Sequence, residues 1–313
     1  MAAPAAFAGQ FGYVSEVTPG TAVAVSKFLP VLSSGLKQDI DRVPFKGHRA
    51  GRLTQWGWKA GRKKVGGAVK LQLPNKDVAA LLKHCFGAVT TTGAGPYTHT
   101  CTPGELAGKS MTMQVGRPDV SGTVQPFTYA GCKVAGWELA CEVGGAVELS
   151  LDVVAMTEVT GIALATASYT SGIAPFVFTE AALTIAGSAV AITKFSLKGD
   201  NGLDGERFKL GSATAKEPLP AKMRPYTGEV SADFESLTAY NRFVNGTEAA
   251  LVVTLTSGAD TLTITTNVEF DGKTPELPDE GLLEQPLPFT CTSSTSDAAA
   301  ITAVLVNGDS SAA

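Results

Sequence analysis

WELACEVGGAVELSLDV, residues 137–153, sets Trp137, Leu139, Cys141 and Val143 in alternation with Glu138, Ala140 and Glu142. After Gly144 and Gly145 the same beat resumes, Val147, Leu149, Leu151 and Val153 alternating with Glu148, Ser150 and Asp152. A period of two marks half-buried antiparallel strands, because successive side chains point to opposite faces of a sheet. A two-residue Gly-Gly loop would set Cys141 against Glu148 and mix apolar with acidic side chains on one face. The pattern therefore predicts a three-residue loop, Gly144-Gly145-Ala146, with Val143 facing Val147 and Trp137 facing Val153. That register puts Glu142 opposite Glu148 and Glu138 opposite Asp152, although like charges directly across a strand pair are destabilising. Two readings of the acidic stripe follow. Lys or Arg on neighbouring strands neutralises it as an ordinary solvated face, or it is a channel wall that repels a polyanion and lets nucleic acid pass without sticking.

Alternation recurs from end to end, as in Val69, Leu71 and Leu73 against Lys70 and Gln72, and only two helices stand out. The first follows Pro74 with Asn75 as N-cap, gathers Val78, Leu81, Leu82 and Cys85 on one face and stops at Gly87. The second runs from about Ser236 to Asn245 with Leu237, Tyr240 and Val244 on a face and Gly246 as its stop. Each is preceded by a Gly-initiated strand, Gly67-Val69-Leu71 or Gly228-Val230-Ala232-Phe234. Further upstream, Gly35-Leu36-Lys37 with Asp41-Arg42 is echoed by Ser196-Leu197-Lys198 with Glu206-Arg207. The expected fold class is all-β with minor α: a duplicated antiparallel β-sandwich or barrel domain, each copy flanked by one short helix. The first domain is expected over 1–155 and the second over 176–292, with a flexible Thr/Ser/Gly/Ala linker at 156–175 between them. The Ser/Ala-rich tail, 293–313, is expected to be mobile or to add an edge strand through Ile301 to Val306.

The chain has 313 residues, room for two domains of this size, and its 17% of charged residues is low for a globular protein. The net charge of −4 conceals an asymmetry. Residues 1–155 hold 16 Lys and Arg against 10 Asp and Glu, whereas 156–313 hold 9 against 19, which favours head-to-tail contact between copies. No apolar run reaches the length of a membrane span, and the Ala-rich start lacks the basic region of an export signal, so folding in a cytoplasm is expected. Cys85, Cys101, Cys132, Cys141 and Cys291 are odd in number and lack CxxC spacing, which suggests neither a disulfide framework nor a zinc ribbon.

A basic cluster, Lys46, His48, Arg49, Arg52, Lys59, Arg62, Lys63 and Lys64, is interleaved with Trp56 and Trp58. Basic residues with aromatics suit nucleic acid. They equally suit a long connection docked on an acidic surface of another copy, with Asp271, Glu276, Asp279, Glu280 and Glu284 as candidates, and the acidic second half favours the protein contact. The histidines, His48, His84 and His99, accompany no GxSxG elbow, HExxH helix or P-loop. His84, Cys85, His99 and Cys101 offer zinc-type donors, but Cys85 fits the helix core, and no metal, cofactor or catalytic residue is assigned.

Several short motifs in order, from Thr18-Pro19-Gly20-Thr21-Ala22 to Lys27-Phe28, Pro74-Asn75-Lys76 and Val115-Gly116-Arg117-Pro118-Asp119, carry a family resemblance. They continue through Pro126-Phe127-Thr128-Tyr129, Gly131-Cys132-Lys133, Trp137-Glu138-Leu139, Cys141 to Gly145 and Tyr240-Asn241-Arg242-Phe243. Over about residues 11–292 the chain resembles the tail tube (major tail) proteins of long-tailed double-stranded-DNA phages. The resemblance implies packed β-sheets flanked by a helix, no enzyme activity and no cofactor. It further implies a virion tail component that self-assembles into stacked rings, encloses a tape-measure protein, meets tail terminator and tail-tip proteins, and conducts DNA without binding it specifically. A doubled domain implies three-subunit rings of pseudo-sixfold symmetry, a single one hexamers. Glu138, Glu142, Glu148 and Asp152 are then the lumen-facing candidates, and Lys46, Arg49, Arg52, Lys59, Arg62, Lys63 and Lys64 the inter-ring contact. The runner-up is a monomeric β-sandwich module that binds carbohydrate or protein, with Trp56 and Trp58 as its platform.

Overall fold

The computed structural model describes residues 8–48, 50–51, 54–234, 237–272, 274, 283–293 and 299–311. The first half runs β1 (Gln10–Ser15), β2 (Lys37–Pro44), β3 (Trp58–Gln72), α1 (Ala79–Phe86), β4 (Gly87–Thr92), β5 (Tyr97–Pro103), β6 (Met111–Pro118), β7 (Val124–Glu142) and β8 (Glu148–Ala155). The second half runs β9 (Ala181–Ile185), β10 (Lys194–Asp200), β11 (Tyr226–Asp233), α2 (Leu237–Asn245), β12 (Ala249–Ser257), β13 (Asp260–Phe270), β14 (Glu284–Thr292) and β15 (Ile301–Asn307). Alternation is the cause of these strands: in β8, Leu149, Leu151, Val153 and Ala155 are buried while the residues between them are not.

All these pairings are antiparallel, and the order repeats. In the first half it is β1–β6–β7–β8–β3–β2. In the second it is β9–β12–β13–β14–β11–β10. The long strand β7 serves two layers, its first part pairing with β6 and its second with β8 and β10. Its pairing with β10, Leu139 opposite Leu197 and Cys141 opposite Phe195, joins the halves edge to edge. One polar-faced layer thus runs β2–β3–β8–β7–β10–β11–β14. A second link is β15, which lies between β5 and β13. The tail segment expected at an edge is therefore an interior strand, with Ile301, Ala303 and Leu305 buried. One apolar cluster crosses the junction, with Trp137 packed on Phe86 at 5.1 Å and on Tyr226 at 6.1 Å between ring centroids.

Helix α1 ends as expected, Gly87 taking a left-handed conformation (φ 106°) that closes its N–H on the Lys83 carbonyl. Its start differs. The N-cap is Val78, and Asn75 instead donates to Asp260 Oδ2 at 2.7 Å and accepts the Ala174 N–H at 2.9 Å. Segment 156–175 is pinned rather than loose: Gln114 and Gln10 hold Ala163 and Ala165, and Asp77 holds Thr170. On α2, Gly246 (φ 58°) is the stop, but Leu237 and Val244 face solvent and Phe243 packs on the core instead. Ser236 lies outside the described residues.

The hairpin 137–153 keeps its faces and loses its predicted register. Trp137 pairs with Leu151 and Leu139 with Leu149, a shift of two residues, and a bulge then sets Val153 against Val134 rather than Trp137. The turn is wider than three residues because both strand ends find other partners. Cys141 and Glu142 stay on β7 to pair with Phe195 and Lys194 of β10, while Val147 donates its N–H to the Phe176 carbonyl at 2.8 Å. Val143, expected inside opposite Val147, is 61% exposed.

Candidate functional site: a charged sheet face and a basic arm

The face of the layer opposite the core carries Glu138, Glu142, Glu148 and Asp152, as the alternation requires. The shifted register dissolves the like-charge pairs. Glu138 stands opposite Ser150 on one side and Lys198 on the other, with an ion pair to Lys198 Nζ at 3.2 Å. Glu148 is opposite Ala140 and Gln72 and pairs diagonally with Lys70 Nζ at 2.7 Å. Glu142 lies across from Lys194, and Asp152 across from Gly136 and Ala68. The result is a mixed lattice of charges, not a wall of carboxylates. The neutralising lysines come from β3 and β10, and the Lys194-Ser196-Lys198 alternation was the sequence signal for two of them. The ion pairs of Glu138 and Glu148 on this face are partly exposed, so each contributes only about 0–1 kcal/mol, while Glu142 and Asp152 have no ion pair among the described residues.

The basic cluster falls on the arm formed by β2, β3 and the turn between them. Arg49 and Arg52 lie outside the described residues. Arg62 is engaged within the chain, by Asp41 at 2.9 Å and Glu206 at 3.2 Å, and lies over the Phe208 ring. Lys64 reaches Glu206 at 2.7 Å, and the Lys63 backbone pairs with Ala213. Lys46 and Lys59 have no ion pair among the described residues. Trp56 packs on Phe45 and Trp58 lies under Arg42, so these rings are half covered by the arm itself. Of the acidic counterparts, Asp271 is exposed at the end of β13; Glu276, Asp279 and Glu280, and the side chain of Glu284, lie outside the described residues.

The His and Cys donors are separated in use. His84 is buried with Nε2 3.4 Å from Ser15 Oγ, while His99 joins Thr91 Oγ1 at 2.8 Å to the Asp309 carbonyl at 3.0 Å. Burial lowers the His84 pKa to about 3, helped by the charges of Lys83, Lys133 and Lys109. Burial likewise raises the Cys85 thiol, and the Cys101 thiol to about 12. Cys85 packs in the helix core, as its position on α1 predicted.

A family model described as phage tail tube protein matches residues 6–291. The chain belongs to that family. The match spans both halves, so the mostly-β architecture and the two helices belong to a structural component of a virion tail. No curated protein sequence matches the chain. The tail tube assignment gives the layer β2–β3–β8–β7–β10–β11–β14 its interest: it is a broad sheet with one face packed on the core and the other carrying closely spaced charges of both signs.

Proposed function

We propose that this tail tube protein is a non-enzymatic building block that closes into rings of three copies, stacked into the hollow conduit through which DNA leaves the virion. The observation that carries the reading is the repeat of one pairing order in both halves: two like domains per chain make three chains equivalent to six units. In this arrangement the charged face, with Glu138, Glu142, Glu148 and Asp152, lines the lumen. Its internal ion pairs suit a lining that must neither hold nor repel DNA strongly, the reverse of a groove that binds phosphate by releasing counterions. During assembly the same lumen encloses a tape-measure protein, while terminator and tip proteins cap the ends. The arm, through Lys46 and Lys59, reaches the adjacent ring, since Arg62 and Lys64 are occupied at home. The chain folds in the host cytoplasm before joining the tail.

Negative-stain electron microscopy over a concentration series tests this. Rings or hollow tubes of threefold symmetry are the expected result. A uniform monomer at every concentration, with or without tail-tip proteins as initiator, would replace the reading with that of a monomeric binding module.

A further inference from the structure

Away from the charged layer and the arm, a cavity in the first half holds a half-buried cation that has no counter-charge. The segment 29–36 passes β1 at Leu29, whose N–H meets the Phe11 carbonyl at 3.2 Å. It is then tied to β3, with the Leu32 N–H on the Lys70 carbonyl at 2.8 Å and the Gly35 N–H on the Ala68 carbonyl at 2.7 Å. Pro30 and Val31 bridge these two attachments. Between this strap, β1, the end of β6 and Tyr169 lies a cavity of about 510 Å³. Phe11, Leu29, Val31, Leu32, Val115 and Tyr169 supply its apolar wall.

Among the described residues, Arg117 is the one charged side chain lining this cavity. Its guanidinium lies over the Phe127 ring, 4.4 Å from the centroid, and Nη2 donates to the Leu36 carbonyl and, at 3.1 Å, to the Tyr129 hydroxyl. Nε and Nη1 have no acceptor among the described residues, and no described carboxylate makes an ion pair with Arg117. Glu158 acts on the Tyr129 hydroxyl instead. A ring and two neutral oxygens orient a guanidinium without cancelling its charge, and a charge partly withdrawn from water favours an anion brought beside it. A second polar group of the same cavity is unsatisfied. Ser34, two residues along the strap from the Leu36 carbonyl that Arg117 holds, lines the cavity with a buried Oγ that has no hydrogen-bond partner. A buried hydroxyl is normally paired, so an oxygen placed beside this one relieves a standing cost.

We propose that this cavity binds a small carboxylic acid with an apolar body, whose carboxylate accepts from Arg117 and from the Ser34 hydroxyl while the body lies against Phe11, Leu29 and Val31. An apolar pocket with a few convergent polar groups is the usual form of a small-molecule site. One guanidinium with one neighbouring hydroxyl suits a monoanion through charge-assisted hydrogen bonds. Inorganic phosphate fits less well, because an apolar wall offers no donors to its remaining oxygens. The site belongs to the single chain and does not depend on the formation of rings.

The test titrates naphthalene-2-carboxylate into the full chain, followed by calorimetry and by the methyl resonances of Leu29, Val31, Leu32 and Val115. The expected result is saturable binding that shifts those methyls, about tenfold or more tighter than binding of naphthalene-2-carboxamide, the gain of one charge-assisted hydrogen bond. Arg117→Met should abolish the preference for the acid over the amide. Ser34→Ala should weaken the acid by roughly threefold or more while leaving the urea midpoint unchanged or raised, whereas a purely structural hydroxyl would lower the midpoint and leave binding alone. The acid and amide comparison on the unaltered protein decides the matter even where Arg117→Met does not fold. Equal affinity for acid and amide overturns the anion site, and shifts confined to other methyls overturn its location. Inorganic phosphate displacing the acid at equal concentration overturns the need for an apolar body, and absence of saturable binding overturns the proposal as a whole.

Discussion

Glu217→Ala probes how firmly the second half grips the first. Lys133 lies on β7 with its side chain 1% exposed, and its Nζ donates to Glu217 Oε1 at 2.6 Å and to the Leu106 carbonyl at 2.7 Å. The same Oε1 accepts the Gly108 N–H at 2.6 Å, and the Glu217 side chain is 27% exposed. Burial pulls the Lys133 pKa down, against the hydrogen bond to Glu217. Burial also pushes Glu217 up, but its bonds to Lys133 and Gly108 prevail and hold its carboxyl below the usual range. Removing Glu217 strands a buried ammonium on one carbonyl, and breaking a buried pair from one side costs about 3–5 kcal/mol. Water entering beside the partly exposed Glu217 moves the expected loss to the lower end, about 3 kcal/mol. Lys133→Met keeps the aliphatic stem and leaves Glu217 with Gly108 and solvent, a loss of about 1 kcal/mol. The double variant should sit near Lys133→Met and well short of the sum. Urea midpoints of the four proteins, with unchanged m and at a concentration where the chain is monomeric, give the coupling directly. Additive single effects, or a Glu217→Ala loss under about 1 kcal/mol, would refute the claim that this pair clamps the segment onto the first half.

Three further outcomes are expected. His84 has a folded pKa of about 3 against 6.5 in an unfolded chain, so the unfolded state takes up the proton first. Stability should therefore fall as pH drops from 6.5 toward 3, by up to ~1.4 kcal/mol per pH unit, and His84→Gln should flatten that part of a urea-midpoint profile. A Cβ at Gly199 would lie 2.5 Å from the Trp137 ring, which Phe86 and Tyr226 prevent from retreating. Gly199→Ala should then lose about 1–3 kcal/mol in the same assay, and an unchanged midpoint would show that the ring can move. Neutralising Lys46 and Lys59 should shorten tubes seen by microscopy while leaving rings intact, whereas Arg62→Gln with Lys64→Gln should spare tube length, because their partners are Asp41 and Glu206 of the same chain. Equal shortening by both pairs would remove the distinction.

Strands were legible because each residue of β8 or β13 reports its own face, and burial acts on that pattern locally. Register was not, because it is fixed by whichever strands arrive at the edges. Pairing Trp137 with Val153 assumed that β7 and β8 have only each other, whereas β7 continues along β10, which follows it by some fifty residues of chain, and residue 147 turns instead to Phe176. The same long-range competition moved Asn75 from a helix cap to the Asp260 carboxylate and drew the tail strand β15 into the gap between β5 and β13. The four acidic residues were legible as one face. Their pairing with lysines of neighbouring strands was legible as one of two readings, but not which lysines, since Lys70 and Lys198 sit on strands that sequence spacing does not place beside them.

The two ends of the long layer also differ in how they treat an incoming strand. An exposed edge is a template for unwanted pairing unless something blunts it. On β14, Pro286 and Pro288 stand opposite Ser231 and Glu229, and a proline has no N–H to give to β11. Both prolines must therefore turn their nitrogens outward, and the one outward group seen in use there is the Pro288 carbonyl, which accepts the Asp271 N–H at 2.9 Å. That edge accepts few strangers. The β2 edge has no proline before Pro44, and beyond Leu36 only charged side chains guard it. A chain with two blunt edges would remain alone, and one with two open edges would add strands without control. Of the two ends of this layer, the β2 edge is therefore the one that a further strand can extend by backbone hydrogen bonds, while the prolines of β14 leave that strand few N–H groups to offer.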